Sequence, residues 1–305
     1  MSILMVGSVA LDSVQTPHGS AHEALGGSAV YASLSARQFA PVELVGVVGQ
    51  DFPKEHIRLL RRHGIGLDGL EIVNGGRTFR WGGKYLDNIN QRETLFTELG
   101  VFENFRPRVP ARAAQLPYVF LANIDPQLQL RVLDQCRKPR LVLLDTMNLW
   151  IDIRRAALEE ALRRVDIILM NEEEALQFAA ATSIERAAKA LLGFGCKRAI
   201  IKKGEHGCLM FSKNGFFAAP ALPLPEVVDP TGAGDTFAGG FIGCLAQSGS
   251  LSEAAMRQAV VVGTALASFC VEGFGVSQVA RLKRQDLRRR IRQLCSAISC
   301  PPVRI

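Results

Sequence analysis

Short runs of consecutive apolar residues punctuate this chain, with helical stretches between them. The runs are 3–11, 42–49, 118–124, 141–145, 166–170 and 199–202. Apolar side chains on both faces of a short segment suit the strands of a parallel sheet covered on each side. Residues 51–63, 126–137, 234–246 and 252–271 read as helices. Strand and helix in alternation predict an α/β fold with a parallel central sheet. Residues 281–294 add a terminal helix, with Leu282, Leu287, Ile291 and Leu294 on one face and arginines outside. A terminal hairpin is expected over 208–222.

Between 70 and 99 the pattern changes. Segments 70–73, 78–86 and 93–99 read as short strands, parted by Asn74-Gly75 and Asn88-Ile89-Asn90. Thr78-Phe79-Arg80-Trp81 alternates with a period of two. An antiparallel patch inserted into a strand–helix chain predicts a small lid over a substrate. Residues 13–24 are a second lid segment. Trp81 and Arg80 are its candidates for substrate contact, and Phe79, Trp81 and Tyr31 could stack a base.

Composition narrows the class. A chain of 305 residues, 48% hydrophobic, can bury a sizeable core. No apolar run reaches the ~18–20 residues that span a bilayer, so no membrane partner is expected. The start, Met1 to Gly7, has no basic n-region and reads as a strand, not a signal peptide. Seven cysteines stand without a Cys-x-x-Cys pair or a Cys/His cluster. That usage suits reduced thiols in a cytoplasm and argues against zinc. The net charge of +7 draws heavily on the arginines of 281–292. A solvated helix face and a nucleic-acid surface both fit them, but no stacking aromatics accompany the charges, so no nucleic-acid partner is expected. Positive charge would also attract anionic nucleotides.

The chemistry concentrates in Asp229-Pro230-Thr231-Gly232-Ala233-Gly234-Asp235-Thr236-Phe237. Gly232 and Gly234 let the backbone turn and approach a ligand. The helix that follows opens with free amides and a positive dipole end, an anion site suited to phosphate. Asp235 in its first turn adds no affinity for an anion. It makes sense as the acceptor of a proton from an attacking hydroxyl. No Gly-Lys-Ser/Thr of a Walker A loop is present, so a phosphoryl transferase would have to cradle phosphate some other way, and this helix start offers one. Asp12 closes the first apolar run, where ligands of open α/β sheets sit, and can accept two hydroxyl protons of a diol. Gly26, Gly27 and Ser28 begin a helix of small residues. Asn171 and Glu174, three apart, point the same way at another helix start. Gly64-Ile65-Gly66-Leu67-Asp68-Gly69 is a formal Gly-x-Gly-x-x-Gly, but it follows a helix and precedes a strand, the reverse of a dinucleotide fingerprint.

The string from Asp229 to Phe237 resembles the signature of the ribokinase family, the PfkB-type carbohydrate kinases, and further similar stretches extend from Gly7 to Gly275. The resemblance implies a ribokinase-like three-layer α/β/α fold with a mostly parallel central sheet and a small β-sheet lid. It implies a single domain over 1–305 with lid segments at about 13–24 and 70–100, and a lid that can serve as a homodimer interface. By the same resemblance Asp235 is the catalytic base, and Gly232, Ala233 and Gly234 form the anion hole. Asp12, Gly26, Gly27, Ser28 and Asn123 fall to the substrate, although many members carry Asn in place of Ser28. Asn171 and Glu174 hold Mg2+ through water. Lys203, Gly204, Gly207, Thr231, Asn171 and Gly263 fall to ATP; many members have Thr or Ser where Lys203 stands. The Asp145-Thr146-Met147-Asn148 stretch resembles an Asp-x-Asn at a strand end near phosphates and substrate. Asp229 and Thr231 resemble a loop that binds a monovalent cation, K+. The implied reaction is transfer of the ATP γ-phosphate to a hydroxyl of a sugar or sugar derivative. A nucleoside kinase on the same fold is the alternative, and a silent sugar- or nucleotide-binding regulator is a third.

Overall fold

The computed structural model describes residues 1–86 and 91–299. A large sheet holds β1 (Ile3–Val6), β4 (Val42–Gly49), β5 (Ile65–Val73), β8 (Tyr118–Leu121), β9 (Leu141–Asp145), β10 (Ile167–Asn171), β11 (Arg198–Lys202), β12 (Cys208–Ser212) and β13 (Gly215–Ala219). A small sheet holds β2 (Ala10–Thr16), β3 (Gly19–Gly26), β6 (Phe79–Tyr85) and β7 (Arg92–Glu98). The large sheet runs β13-β12-β11-β10-β9-β8-β1-β4-β5, parallel except for the hairpin strands β12 and β13. The helices are α1 (Ser28–Ala36), α2 (Lys54–Arg62), α3 (Pro126–Gln135), α4 (Asn148–Ile153), α5 (Arg155–Leu162), α6 (Glu172–Ala179), α7 (Ile184–Gly193), α8 (Ala233–Ser248), α9 (Glu253–Cys270), α10 (Ser277–Arg281) and α11 (Arg284–Ile298).

Alternation along each central strand feeds two cores. Ile3 and Met5 pack toward α1, α8 and α9, while Leu4 and Val6 pack toward α3, α5, α6 and α7. Both faces are buried, which is why these strands read as unbroken apolar runs. Each such side chain contributes about 1.5–3 kcal/mol on leaving water. The arginine-rich α11 docks on α9 through Leu287 and Leu294, against Val261, Val262 and Leu266. Leu287, Ile291 and Leu294 form its apolar face as expected, while Leu282 lies before the helix, which starts at Arg284.

Three expectations change. The run 3–11 is not one strand: β1 ends at Val6, the chain bends over 7–9, and β2 begins at Ala10 in the small sheet. At the bend the Ser8 amide donates to Ser28 Oγ (3.2 Å), drawing the chain out of the large sheet. Residues on both sides of the bend are buried, so hydrophobicity alone does not mark it. Asp12 therefore sits within a lid strand and not at the end of the first core strand. The lid begins earlier than expected on this side, with β2 and β3 spanning 10–26. On the other side, 70–73 belongs to β5 at the edge of the large sheet, paired parallel with β4. The lid strands there are β6 and β7, and the small sheet is mixed: order β3-β2-β6-β7, with β2 and β6 parallel. The turn expected at Asn88-Ile89-Asn90 lies outside the described residues.

Candidate active site

The carboxyl ends of β9, β10 and β11 meet the start of α8, the region where open α/β sheets bind ligands. Gly232 precedes α8 with a φ of 75°, and a side chain there would run into the ring of Tyr31. Only glycine takes this turn without strain. The Thr236 amide closes onto the Gly232 carbonyl (2.8 Å), and the Ala233 amide closes onto Pro230 (3.2 Å). The Gly234 and Asp235 amides stand in the first turn, where the helix itself supplies no acceptor. They and the helix dipole point positive charge outward. Asp229, wholly buried, ties the turn from behind. Its Oδ1 accepts from the Thr231 amide (2.9 Å) and its Oδ2 from the Gly275 amide (3.3 Å).

Lys202 ends β11. Its Nζ donates to Asp145 Oδ2 at 2.8 Å and lies 3.0 Å from where a Cβ would sit on Gly234. Burial alone would favour the neutral amine, but the carboxylates of Asp145, Glu174 and Asp235 outweigh it and raise the lysine's pKa. Asn171 and Glu174 form a reciprocal cap on α6. The Glu174 amide donates to Asn171 Oδ1, and the Asn171 amide donates to Glu174 Oε2, both at 2.7 Å. Burial pushes Glu174 up to about 7 against the pull of Lys202. Burial, then the charge of Asp145, likewise pushes Asp235 up to about 7. A carboxyl titrating near neutrality in the first turn of a helix, beside its free amides, has the chemistry of a proton acceptor.

Asp12 reaches the same place from the lid. A side chain on Gly26 would overlap its carboxylate, and the Gly27 amide donates to its Oδ2 at 3.4 Å. Burial raises Asp12 to about 7, with Asp229 adding to the rise. Asp12 and Asp235 feel each other's charge. Trp81 is the register partner of Asp12 across β2 and β6, so both project from the same side of the lid sheet. The Arg92 guanidinium lies 5.1 Å above its ring. Tyr85, ending β6, accepts a hydrogen bond from Thr231 Oγ1 (3.2 Å), so the lid touches the turn before α8 directly.

Other expected site residues have structural partners. Ser28 Oγ donates to the Asn123 carbonyl (3.2 Å) and shares a hydrogen bond with Ser8 Oγ (3.1 Å), joining the ends of β1 and β8 to α1. Asn123 Oδ1 accepts from the Trp150 indole (3.0 Å). Arg80 projects from the lid face opposite Trp81 and bonds Glu23 (2.6 Å) and Asp51 (2.8 Å), clamping the lid to the end of β4. Phe79 stacks on Phe102, with ring centroids 5.3 Å apart. Tyr31, buried in α1, lies against Gly232 and feels the charge of Asp12, while Trp81 is the register partner of Asp12 across the lid strands. Lys203, Gly204 and Gly207 form a tight turn after Lys202, closed by the Lys203 amide on the Gly207 carbonyl (2.7 Å). Gly263 is a packing glycine: a Cβ there would stand 2.7 Å from the Phe237 carbonyl of α8.

Lys202 and Tyr85 were missed as site residues. A signal existed for the first: a lysine ending an apolar strand cannot stay among the core side chains, and the carboxyl edge of the sheet is where charge finds ligands. Tyr85 carried none, since its partner lies 146 residues away.

Residues 3–281 match the profile of the pfkB family of carbohydrate kinases. The chain is 32% identical over 260 residues to the cytidine kinase of Thermococcus kodakarensis, covering 83% of this chain and 91% of that relative. Its fold is similar to that of Burkholderia thailandensis nucleoside kinase in complex with inosine, with a TM-score of 0.80, 19% identity, and 97% and 99% of the two chains covered. It is also similar to a putative ribokinase II from E. coli in complex with ATP and Mg2+, with a TM-score of 0.74, 20% identity, and 96% and 99% covered.

Proposed function

Since the chain belongs to the pfkB family of carbohydrate kinases, we propose that Asp235 takes the proton from an acceptor hydroxyl and that the acceptor is a nucleoside. The enzyme is an ATP-dependent phosphotransferase with an alcohol group of a sugar or nucleoside as acceptor. The observation that carries the mechanistic reading is convergence: Asp12 from the lid, Asp145 and Lys202 from the ends of β9 and β11, and Glu174 from α6 gather around Asp235 in the first turn of α8.

Asp12 accepts the two hydroxyl protons of a ribose diol, with Trp81 beside it for the rest of the acceptor. Asp235 receives the proton as the hydroxyl attacks. Lys202 and the Gly234 amide hold the transferring group, whose charge they stabilise more as it develops. Asn171 and Glu174 offer oxygen donors at a helix start, the chemistry that holds Mg2+ through retained water. The bound ion would neutralise charge on the β and γ phosphates. Asp229 is a buried acid whose described partners are two amides and no cation; with Thr231 it fits a K+ ion behind the turn.

The nucleoside reading draws on the relatives and on the side of the lid that Asp12 and Trp81 share. The cover of Arg92 over the Trp81 ring favours a free sugar instead. ATP-to-ADP conversion against a panel of nucleosides and free sugars decides between them. Nucleosides are expected to stimulate turnover, and Asp12→Asn is expected to raise the acceptor KM at least ~10-fold through loss of a charge-assisted bond pair. Stimulation by free sugars alone would overturn the nucleoside assignment.

A second copy of the chain fits the lid edge. β7 is exposed along its whole length, and Leu95 and Phe96 on it and Leu99 just after it stand open, while its outer edge pairs with no described strand. Light scattering should give about twice the 33.2 kDa of the chain; a monomer mass at high concentration would remove this proposal.

A further inference from the structure

The mechanism leaves α11 without a role, yet one of its arginines is not a surface charge. Arg290 Nη2 donates to Glu272 Oε1 (2.9 Å) and Nη1 to Glu272 Oε2 (3.1 Å). Nη1 also donates to Ser268 Oγ (3.2 Å), and the guanidinium lies 3.5 Å above the Phe269 ring. Its side chain is 15% exposed, whereas that of neighbouring Arg289 is 65% exposed. A two-point fork stacked on an aromatic face fixes both the position and the tilt of its partner.

The partner belongs to the loop that follows α9, and this loop is bound to the phosphate turn. The Val271 carbonyl accepts from the Val228 amide (2.8 Å) and the Asp229 amide (3.2 Å). The Gly275 amide donates to Asp229 Oδ2 (3.3 Å), and Asp229 Oδ1 holds the Thr231 amide (2.9 Å). Glu272 is pinned within the loop by its own amide on the Phe269 carbonyl (3.2 Å) and by Gln278 on its carbonyl (3.3 Å). The contacts run from α11 through Glu272 and Asp229 to the residues just before Gly232.

We propose that Arg290 is a positioning residue for phosphoryl transfer: by gripping Glu272 it fixes the loop that holds Asp229 and thereby sets the Gly232–Gly234 turn. The inference rests on reading that turn as the phosphate site. A grip on the turn acts on the transferring group and not on the acceptor, so it should appear in kcat and spare the acceptor KM.

The test compares Arg290→Gln, Glu272→Gln, Arg290→Lys and Arg289→Gln in the full chain, well below each melting transition. Arg290→Gln and Glu272→Gln should each lower kcat by about tenfold, the size expected when a reacting group loses part of its alignment, with the acceptor KM unchanged. Arg290→Lys, which restores the charge without the fork, should fall between them and the parent. Arg289→Gln should match the parent. If Arg290→Gln does not fold, Glu272→Gln decides, since it leaves α11 intact. Lower melting temperatures with parental kcat in both variants would overturn the proposal and leave Arg290 a stabilising residue only. That failure is distinct from failure of the phosphate-site reading, which would show as a Gly234→Ala variant, its new Cβ beside Lys202 Nζ, that keeps the parental kcat and ATP KM.

Discussion

Asp235→Asn is expected to cut turnover by ~10²–10⁴-fold while the fold and nucleotide binding persist. The loss corresponds to about 3–5 kcal/mol of transition-state stabilisation. Asparagine keeps the shape of the side chain, and α8 loses no cap, because its N-cap is Gly232 and no side chain caps it. What disappears is the ability to take a proton. The acid must be ionised to do this, and burial with the nearby charge of Asp145 raises it to about 7. Below that value the parent enzyme loses active carboxylate, so kcat/KM falls as pH drops. Asp12 and Glu174 titrate in the same range, so the acid limb belongs to the set of acids and not to one of them. The clean measurement is therefore saturating turnover of the variant at pH 8, where all three are ionised in the parent. Near-parental turnover there would remove Asp235 as the base.

Lys202→Met is expected to lower kcat/KM by ~10²–10³-fold, the usual cost of removing a donor aimed at developing charge. A second effect accompanies it. Asp145, 3% exposed, would lose the cation 2.8 Å away. Stranding one member of a buried pair typically costs about 3–5 kcal/mol of stability. The double variant Lys202→Met with Asp145→Asn separates the two effects. Its melting temperature should recover much of the loss, because no lone charge remains, whereas turnover should stay low. Recovery of both would make Lys202 a partner of Asp145 and nothing more.

Legibility in the sequence followed burial. Runs 42–49 and 141–145 coincide with β4 and β9 because nearly every position in a strand covered on both faces is buried and apolar. The helix start at Gly232 was legible for another reason: glycine, aspartate and proline there each answer a backbone or chemical need that few other settings impose. The bend at 7–9 was not legible, because it passes from one buried sheet to another. The role of 70–73 was hidden because partner choice, parallel to β4 or antiparallel in the lid, leaves no trace in a four-residue pattern. Arg80 and Trp81 looked alike as lid candidates, yet a period of two puts them on opposite faces. Only the pairing of β2 with β6 says which face meets Asp12. Arg290 was one arginine among many until Glu272 and Phe269 came beside it.

The gathering of acids has a consequence for the empty enzyme. Asp12, Glu174 and Asp235 have folded values near 7, above the ordinary carboxyl values near 4 that an unfolded chain presents. Between those limits the folded chain binds more protons than the unfolded one. The stabilisation this gives is complete below about pH 4, is lost as pH rises through the window, and is absent above about 7. Above about pH 7, with the three carboxylates ionised, the unloaded site gives the fold none of this support. Between those limits folding takes up protons; above them, whatever hydrogen-bonds these carboxylates in their ionised form offsets the cost of burying their charge. On the proposed reading, an acceptor bringing hydroxyls to Asp12 and Asp235 would also be a ligand that tightens the protein.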